Sequence, residues 1–141
     1  MIVPGGTGAI STDSVEGKVG TDRVTRLAGE SGYDTSNVIA EWLTTNGDKE
    51  GEPYMSASTA VVANGGLSTN GVDALSGSAL AGKNKSVVLL VNTNPNIEAT
   101  NLFTINGYFF DSRANIETAY VLGGTAVVNT SLEQRLARLI D

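Results

Sequence analysis

The 141-residue sequence contains no cysteine and no histidine. Without cysteine the chain forms no disulfide and offers no thiolate to a metal ion. Without histidine it lacks the commonest general base, the commonest metal ligand and the central residue of a Ser-His-Asp triad. We therefore predict a protein that is not an enzyme, with no catalytic residue, no cofactor and no bound metal.

Basic residues and long apolar runs are also scarce. Nine lysines and arginines stand against 15 acidic residues, which gives a net charge of −6 at pH 7. Binding to nucleic acid or to an anionic membrane needs clustered basic residues, so the charge argues against both partners. No apolar run approaches the ~18 residues of a membrane helix, and no secretory signal precedes the first motif. We interpret the sequence as a fragment whose upstream signals, if any, were removed.

Glycine is abundant, with 17 residues against only three prolines, and apolar residues make up 40% of the chain. Strand-like apolar runs occur at 24–27, 59–63, 86–91 and 119–122, and helical patterns follow from Asp34, Asp73 and Thr130. Alternating strands and helices favour an α/β fold with a three-layer parallel sheet, in which ligands bind at the carboxyl ends of the strands. Those ends lie at 29, 64–66, 92–94 and 123–125.

A short motif occurs at both ends of the chain. Residues 2–13 align with residues 120–131 at a constant offset of 118, with identical residues at positions 3, 5, 6, 7 and 12 of the first copy. Such an internal repeat is typical of modules that occur in series. We predict that residues 1–23 are the C-terminal strand, turn and helix of a preceding repeat and that residues 24–141 form one complete module.

Two features permit a chemical interpretation as well as a structural one. The segment Gly5-Gly6-Thr7-Gly8 lies where a phosphate cradle would lie, but it completes neither G-x-G-x-x-G nor a Walker motif. A tight turn is favoured, and a Rossmann-type enzyme or regulator that binds a nucleotide or sugar phosphate is the alternative. Asp34 and Asp73 could act as acid and base or bind a cation, but helix capping explains both positions more simply.

Five short segments occur in a fixed order: RLAG at 26–29, YDT at 33–35, VDALSGSALA at 72–81, VLL at 88–90 and YVLGG at 120–124. In this order they resemble the cell wall binding repeat 2 family of Gram-positive surface proteins, over residues 24–141. The sequence departs from the family where Ser31 and Gly32 replace an Asp-Arg pair. The segments 44–58 and 103–115 are also longer than is usual in the family.

The resemblance implies a Rossmann-like or Toprim-like module, present three times per polypeptide and assembled as a trimer of modules. Its implied role is to anchor an extracellular surface protein at the cell wall by non-covalent binding of an anionic polymer such as a teichoic-type polymer. It also implies that the run Val88, Leu89 and Leu90 attaches the polymer, whereas periodicity alone favours a buried strand. The implied partners are sister repeats in the same polypeptide, or other copies of an isolated fragment. A spacer that trimerises and binds nothing is a third interpretation.

The candidates for polymer binding are basic, aromatic and amide side chains together with the apolar run. They are Arg23, Arg26, Tyr33, Asn64, Lys83, Lys85, Val88, Leu89, Leu90 and Asn92. Lys83 and Lys85 precede their strand, at the end opposite to the glycine-rich edge. The two lysines and the candidates at the glycine-rich edge are therefore not expected to form one pocket within a module, although an interface between modules could join them.

Overall fold

The computed structural model describes residues 1–66, 71–92 and 107–141. The sequence also predicts a helix that begins within the range 95–112, and most of this range falls outside the described residues. Thr93 and Asn94, at the predicted end of a strand, lie outside them as well. In chain order the elements are β1 (Ile2–Pro4), α1 (Thr12–Val19), a 3₁₀ turn (Thr21–Arg23), β2 (Thr25–Leu27), α2 (Gly32–Thr45), β3 (Thr59–Asn64), α3 (Val72–Asn84), β4 (Val87–Val91), α4 (Tyr108–Asp111), β5 (Thr118–Leu122) and α5 (Thr130–Ile140).

The strands are parallel, as the alternation of strands and helices predicts, but those described form two sheets. The larger sheet has the order β4-β3-β5, and β1 pairs with β2 in a separate sheet. Val62 of the central strand lies opposite Leu89 on one side and Val121 on the other. Residues 60–64 of β3 are all buried, which explains why this strand reads as an unbroken apolar run.

Helices cover both faces of the larger sheet, so the predicted three-layer α/β architecture is confirmed. On one face α3 lies close to the strands because Gly77 has no side chain. A Cβ atom there would overlap the side chain of Leu122 and would lie 3.3 Å from Val61. On the opposite face, Val62 and Leu89 pack in one apolar cluster with side chains from three helices: Ala40 of α2, Tyr108 and Phe109 of α4, and Leu132 and Leu136 of α5.

The sequence favours Asp34 as the cap of α2 and a capping box of Thr130 and Glu133 for α5, but other residues cap both helices. The N-cap of α2 is Ser31, whose hydroxyl accepts from the Asp34 N–H at 3.1 Å, and the N-cap of α5 is Asn129. Helix α3 follows Gly71 and has no side-chain cap. Asp34 and Asp73 lie inside the first turn, where the backbone is already helical. The prediction that they cap was therefore wrong, although a carboxylate there still stabilises the helix dipole.

Candidate functional site

The repeated motif has the same backbone geometry in both copies. The N–H groups of Ala9 and Ile10 donate to the Gly6 carbonyl oxygen, each at 3.0 Å. At the same offset of 118, those of Val127 and Val128 donate to the Gly124 carbonyl oxygen at 2.8 and 2.9 Å. The glycine that precedes each turn has a positive φ, +111° at position 5 and +106° at position 123. We call these segments the first turn (residues 5–10) and the second turn (residues 123–128).

Three predicted site residues lie near the carboxyl ends of β3 and β4: Asn64 ends β3, Asn92 follows β4, and Tyr33 bonds to Asn92. We call Tyr33, Asn64 and Asn92 the carboxyl-end cluster. The Asn92 side-chain amide donates to the Tyr33 hydroxyl at 2.9 Å, across 59 residues of sequence. Asn64 is 1% exposed. Its amide nitrogen donates to the Val127 carbonyl oxygen at 2.7 Å, and its oxygen accepts from the Gly66 N–H at 2.7 Å.

The cluster combines a buried structural residue with two residues nearer the surface. Asn64 holds the second turn against the end of β3, so its polar atoms face protein groups. Tyr33 and Asn92 are half-buried, and together they present a hydroxyl and an amide, groups that hydrogen-bond to polyols. This end of the sheet therefore offers neutral polar contacts rather than charge.

Ser36 was missed by the sequence analysis and supports the same region. It is 6% exposed, and its hydroxyl accepts from the Leu90 N–H at 3.1 Å, linking α2 to β4. The same hydroxyl donates to the Tyr33 carbonyl oxygen at 2.6 Å. Nothing in the sequence around Ser36 indicates this role, because the contact with Leu90 spans 54 residues.

Arg26 faces the N-terminal segment rather than open solvent. Its guanidinium forms a salt bridge with Glu16 at 2.6 Å and donates to the Gly5 carbonyl oxygen at 2.8 Å. Both side chains are largely covered, at 16% and 9% exposure. The hydrogen bond from Arg26 lowers the pKa of Glu16 below its ordinary value, with a smaller contribution from a backbone hydrogen bond. Arg26 therefore joins β2 to α1 and to the first turn.

The other basic candidates lie at the amino ends of strands. Lys83 and Lys85 are exposed just before β4, and Lys85 has φ +50° as the residue that ends α3. Arg23 is exposed just before β2. The structure thus places these cations at strand ends opposite to those that carry the carboxyl-end cluster.

The apolar run 88–90 is part of the central layer. Leu89 is fully buried in the core cluster, whereas Val88 and Leu90 are half-buried. The side chain of Leu89 can therefore affect a ligand only by positioning its neighbours.

Two clefts are lined by described residues. One, of about 490 Å³, lies between the first turn and the start of α2, and is lined by Gly5, Gly6, Thr7, Gly8, Ala9, Gly29, Glu30, Ser31, Gly32 and Thr35. This lining contains a carboxylate and no lysine or arginine, which disfavours a phosphate. The other, of about 350 Å³, lies between α2 and α4, and its lining includes the carboxylates of Asp34, Glu41 and Asp111. An anionic polymer would be repelled there.

Neither a cluster of metal ligands nor a membrane-spanning helix occurs among the described residues. Within 1–66, 71–92 and 107–141, no group of three or more Asp or Glu side chains is placed to hold a metal ion. None of the helices in those ranges is both long and apolar enough to cross a membrane.

The fold is a parallel α/β unit, with the amide side chains of Asn64 and Asn92 at the carboxyl ends of two strands. The sequence profile of the family described as Cell wall binding domain 2 (CWB2) matches residues 26–133. The chain therefore belongs to the CWB2 family and is a cell wall binding module, which confirms the resemblance seen in its sequence segments.

Among solved structures, Cwp8 from Clostridium difficile is similar to this chain, with a TM-score of 0.64 at 22% sequence identity. The match covers 99% of this chain and 21% of the Cwp8 chain, so the sequence spans about a fifth of that protein's length. At this identity the likeness shows the fold, and it agrees with the Rossmann-like α/β architecture. A search of curated proteins finds no match.

Proposed function

We propose that this chain is a non-catalytic module that holds a surface protein on the outside of the cell, by non-covalent binding of an anionic polymer of the wall. The observation that carries the proposal is the match of residues 26–133 to the CWB2 family. The polymer, of teichoic type in this proposal, would contact this module and its sister repeats in the same polypeptide. Individually weak contacts then gain affinity through effective concentration.

The distribution of charge supports contact through a few exposed cations. Because the protein carries a net charge of −6, an anionic polymer must approach where basic side chains outnumber nearby acids. Lys83 and Lys85 provide two exposed ammonium groups within three residues, and Arg23 provides a third exposed cation. In this proposal Tyr33 and Asn92 add hydrogen bonds to hydroxyl groups of a polymer bound across neighbouring modules.

Sedimentation with purified cell walls tests the proposal directly. The protein should pellet with intact walls and be released as salt is raised, because contacts between lysine and an anionic polymer are screened by ions. Walls from which the anionic polymer has been stripped should bind much less protein. Equal binding to intact and stripped walls would contradict the proposal.

A pair of substitutions tests the lysines. Lys83→Gln combined with Lys85→Gln should weaken wall binding by roughly two- to fivefold per lost contact, the range expected when exposed ion pairs are each worth up to about 1 kcal/mol. Lys49→Gln is the matched control, since Lys49 is also exposed but lies in the acidic loop after α2. Because the control removes one charge and the test variant removes two, an equal loss of binding per lysine would show that only net charge matters.

Tyr33→Phe tests the carboxyl-end cluster separately. The substitution keeps the ring but removes the hydroxyl that accepts from Asn92. We expect weaker wall binding with a similar salt dependence, because a neutral contact is lost. Unchanged wall binding would remove this cluster from the polymer site.

Self-association of the isolated chain is part of the proposal, with a trimer as the expected form. The exposed face of α3 supports it, because Val72 is 59% exposed and Leu75 is 76% exposed. Sedimentation velocity should show an oligomer that Leu75→Ser weakens. A monomer at all concentrations would contradict this part.

One observation keeps a second function under consideration. The 490 Å³ cleft between the first turn and the start of α2 has the location of a nucleotide or sugar-phosphate site. Glu30 in its lining disfavours a phosphate. A thermal-shift panel of nucleotides and sugar phosphates should show no stabilisation, and a clear shift would favour this alternative.

A further inference from the structure

The two copies of the repeated motif have different neighbours at their strands. In the first copy, β1 pairs in parallel with β2, and Val3 lies opposite Arg26. In the second copy, β5 pairs with β3 through one edge. Among the described strands, none pairs with the other edge of β5.

Two hydrogen bonds show which backbone groups of the first copy pair with β2. The Gly5 N–H donates to the Leu27 carbonyl oxygen at 2.8 Å, and the Met1 carbonyl oxygen accepts from the Thr25 N–H at 2.8 Å. Because the direction of N–H and C=O groups alternates along a strand, residues 1, 3 and 5 direct theirs toward β2. Their counterparts at an offset of 118 are residues 119, 121 and 123.

In the second copy these counterparts face the open edge. The N–H groups of Glu117 and Thr118 both donate to the Ser58 carbonyl oxygen, at 2.9 and 3.2 Å, and Thr118 is the first residue of β5 in register with β3. By the same alternation, residues 118, 120 and 122 direct their groups toward β3, and residues 119, 121 and 123 direct theirs away from it. Gly123 is exposed, and its N–H finds no acceptor in the part of the chain that the structure describes.

We propose that the open edge of β5 pairs in parallel with β2 of a second copy of the unit 24–141, as β1 pairs with β2 within this chain. In the resulting register Val121 lies opposite Arg26 of the second copy. The Gly123 N–H donates to the carbonyl oxygen of that copy's Leu27, and the Ala119 carbonyl oxygen accepts from the N–H of its Thr25. The inference rests on the proposal that residues 1–23 end a preceding repeat, and it is independent of polymer binding.

The pairing of β1 with β2 within the chain and the proposed pairing of β5 with β2 between copies differ at one side chain that contacts Arg26. In the first copy, Arg26 binds both the Gly5 carbonyl oxygen and the Glu16 carboxylate. In the second copy the Gly123 carbonyl oxygen is the counterpart, but Gln134 stands in the place of Glu16. Gln134 can accept a hydrogen bond from a guanidinium without forming an ion pair. In the contact between copies, Arg26 therefore keeps its hydrogen-bond partners but has no ion pair.

A tandem protein tests the pairing. Because the offset is 118, a second copy of residues 24–141 joined directly after Asp141 continues the repeat without a linker. Tyr120→Cys in the first unit and Thr25→Cys in the second should form a disulfide, since adjacent strands bring Cα atoms within bonding range. The chain has no cysteine of its own, so any disulfide reports this pair.

Two control pairs show how fast a disulfide forms when the cysteines are in register and when they are not. Ile2→Cys with Thr25→Cys in the single chain should oxidise to the same extent, because Ile2 and Thr25 are register partners in the structure. Ala119→Cys with Thr25→Cys in the second copy is out of register and should oxidise at least tenfold more slowly. If the single-chain control oxidises and the Tyr120 pair does not, the proposal is overturned.

Hydrogen exchange gives a second readout that needs no cysteine. In the tandem protein the amides of Val121 and Gly123 in the first unit should exchange at least tenfold more slowly than in the single chain. Gln134→Glu in that unit should slow them further by supplying the missing ion pair. Equal exchange in the tandem and single proteins would overturn the proposal. Wall binding of the single chain bears separately on the polymer proposal.

Discussion

The two strand–turn–helix copies share a turn but differ in what their helices bury. Helix α5 buries Leu132 and Leu136, whereas α1 has no buried residue. At the offset of 118 the counterparts of the two leucines are Ser14 and Lys18. The glycines and the backbone hydrogen bonds determine the turn, while the apolar positions alone decide whether the helix that follows joins the core.

The largest expected difference between the copies is in helix packing. Leu136→Ala should lower the free energy of unfolding by about 2–5 kcal/mol, because Leu136 is 1% exposed within the core cluster. Lys18→Ala, at the equivalent position of α1, should change it by less than about 0.5 kcal/mol. Urea unfolding followed by circular dichroism measures both. Similar losses would show that α1 is packed in solution.

Replacing the two turn glycines with alanine should lower the free energy of unfolding by amounts that differ less than those for the helix substitutions. Gly5→Ala and Gly123→Ala both force a side chain into a positive φ, at a cost of about 1–3 kcal/mol. At Gly123 the new Cβ would also overlap Val127 and lie 2.9 Å from the Asp73 carboxylate, whereas at Gly5 its nearest neighbour is 3.5 Å away. Thermal unfolding should show the larger loss at Gly123. The reverse order would mean that the second turn relaxes more easily than the first.

The side chains at the two N-cap positions, Asn129 and Ser11, should differ by about 1 kcal/mol in their contribution to the free energy of unfolding. The Asn129 side chain accepts from the Leu132 N–H at 2.9 Å, so Asn129→Ala should destabilise the protein by about 0.5–2 kcal/mol. Ser11 holds the equivalent position, but its hydroxyl pairs with that of Ser14 and makes no cap bond. Ser11→Ala should therefore have almost no effect on the midpoint of urea unfolding. A matching loss at Ser11 would contradict the difference seen between the caps.

The smallest expected effect is on acid stability. Arg26 holds the pKa of Glu16 lower in the folded chain than in the unfolded chain, so the carboxylate stabilises the fold above its unfolded pKa. That contribution is lost as the pH falls through the lower, folded pKa. Glu16→Gln should therefore flatten the loss of stability below about pH 4.5, with the clearest difference from the native protein near neutral pH. Gln134→Glu in the single chain is the control and should leave this acid dependence in place.

Much of the fold could be read from local patterns. The apolar runs at 59–63 and 86–91 predict β3 and β4 to within one residue at each end, because a strand covered on both faces carries apolar residues without alternation. The small residues of α3 predict close packing, and Gly77 shows it. The caps Ser31 and Asn129 were missed, since each lies one to three residues before another residue that also favours capping, Asp34 and Thr130 respectively.

The candidate site depends on contacts that no local pattern contains. The Tyr33–Asn92 hydrogen bond and the Ser36–Leu90 hydrogen bond join residues more than 50 positions apart. Arg26 reads as a free cation in the sequence, but the structure pairs it with Glu16, ten residues earlier. The separation of Lys83 and Lys85 from the carboxyl ends of the strands could be predicted, because it requires only the direction of β4.

The pairing of β1 with β2 has a practical consequence for recombinant fragments. A fragment cut at residue 24, where the sequence predicts that the module begins, would keep β2 but remove β1, the strand that pairs with its backbone groups. It would also leave the Arg26 guanidinium without Glu16. Such a fragment would present a bare strand edge that favours aggregation. A fragment intended for structural work should therefore keep residues 1–23.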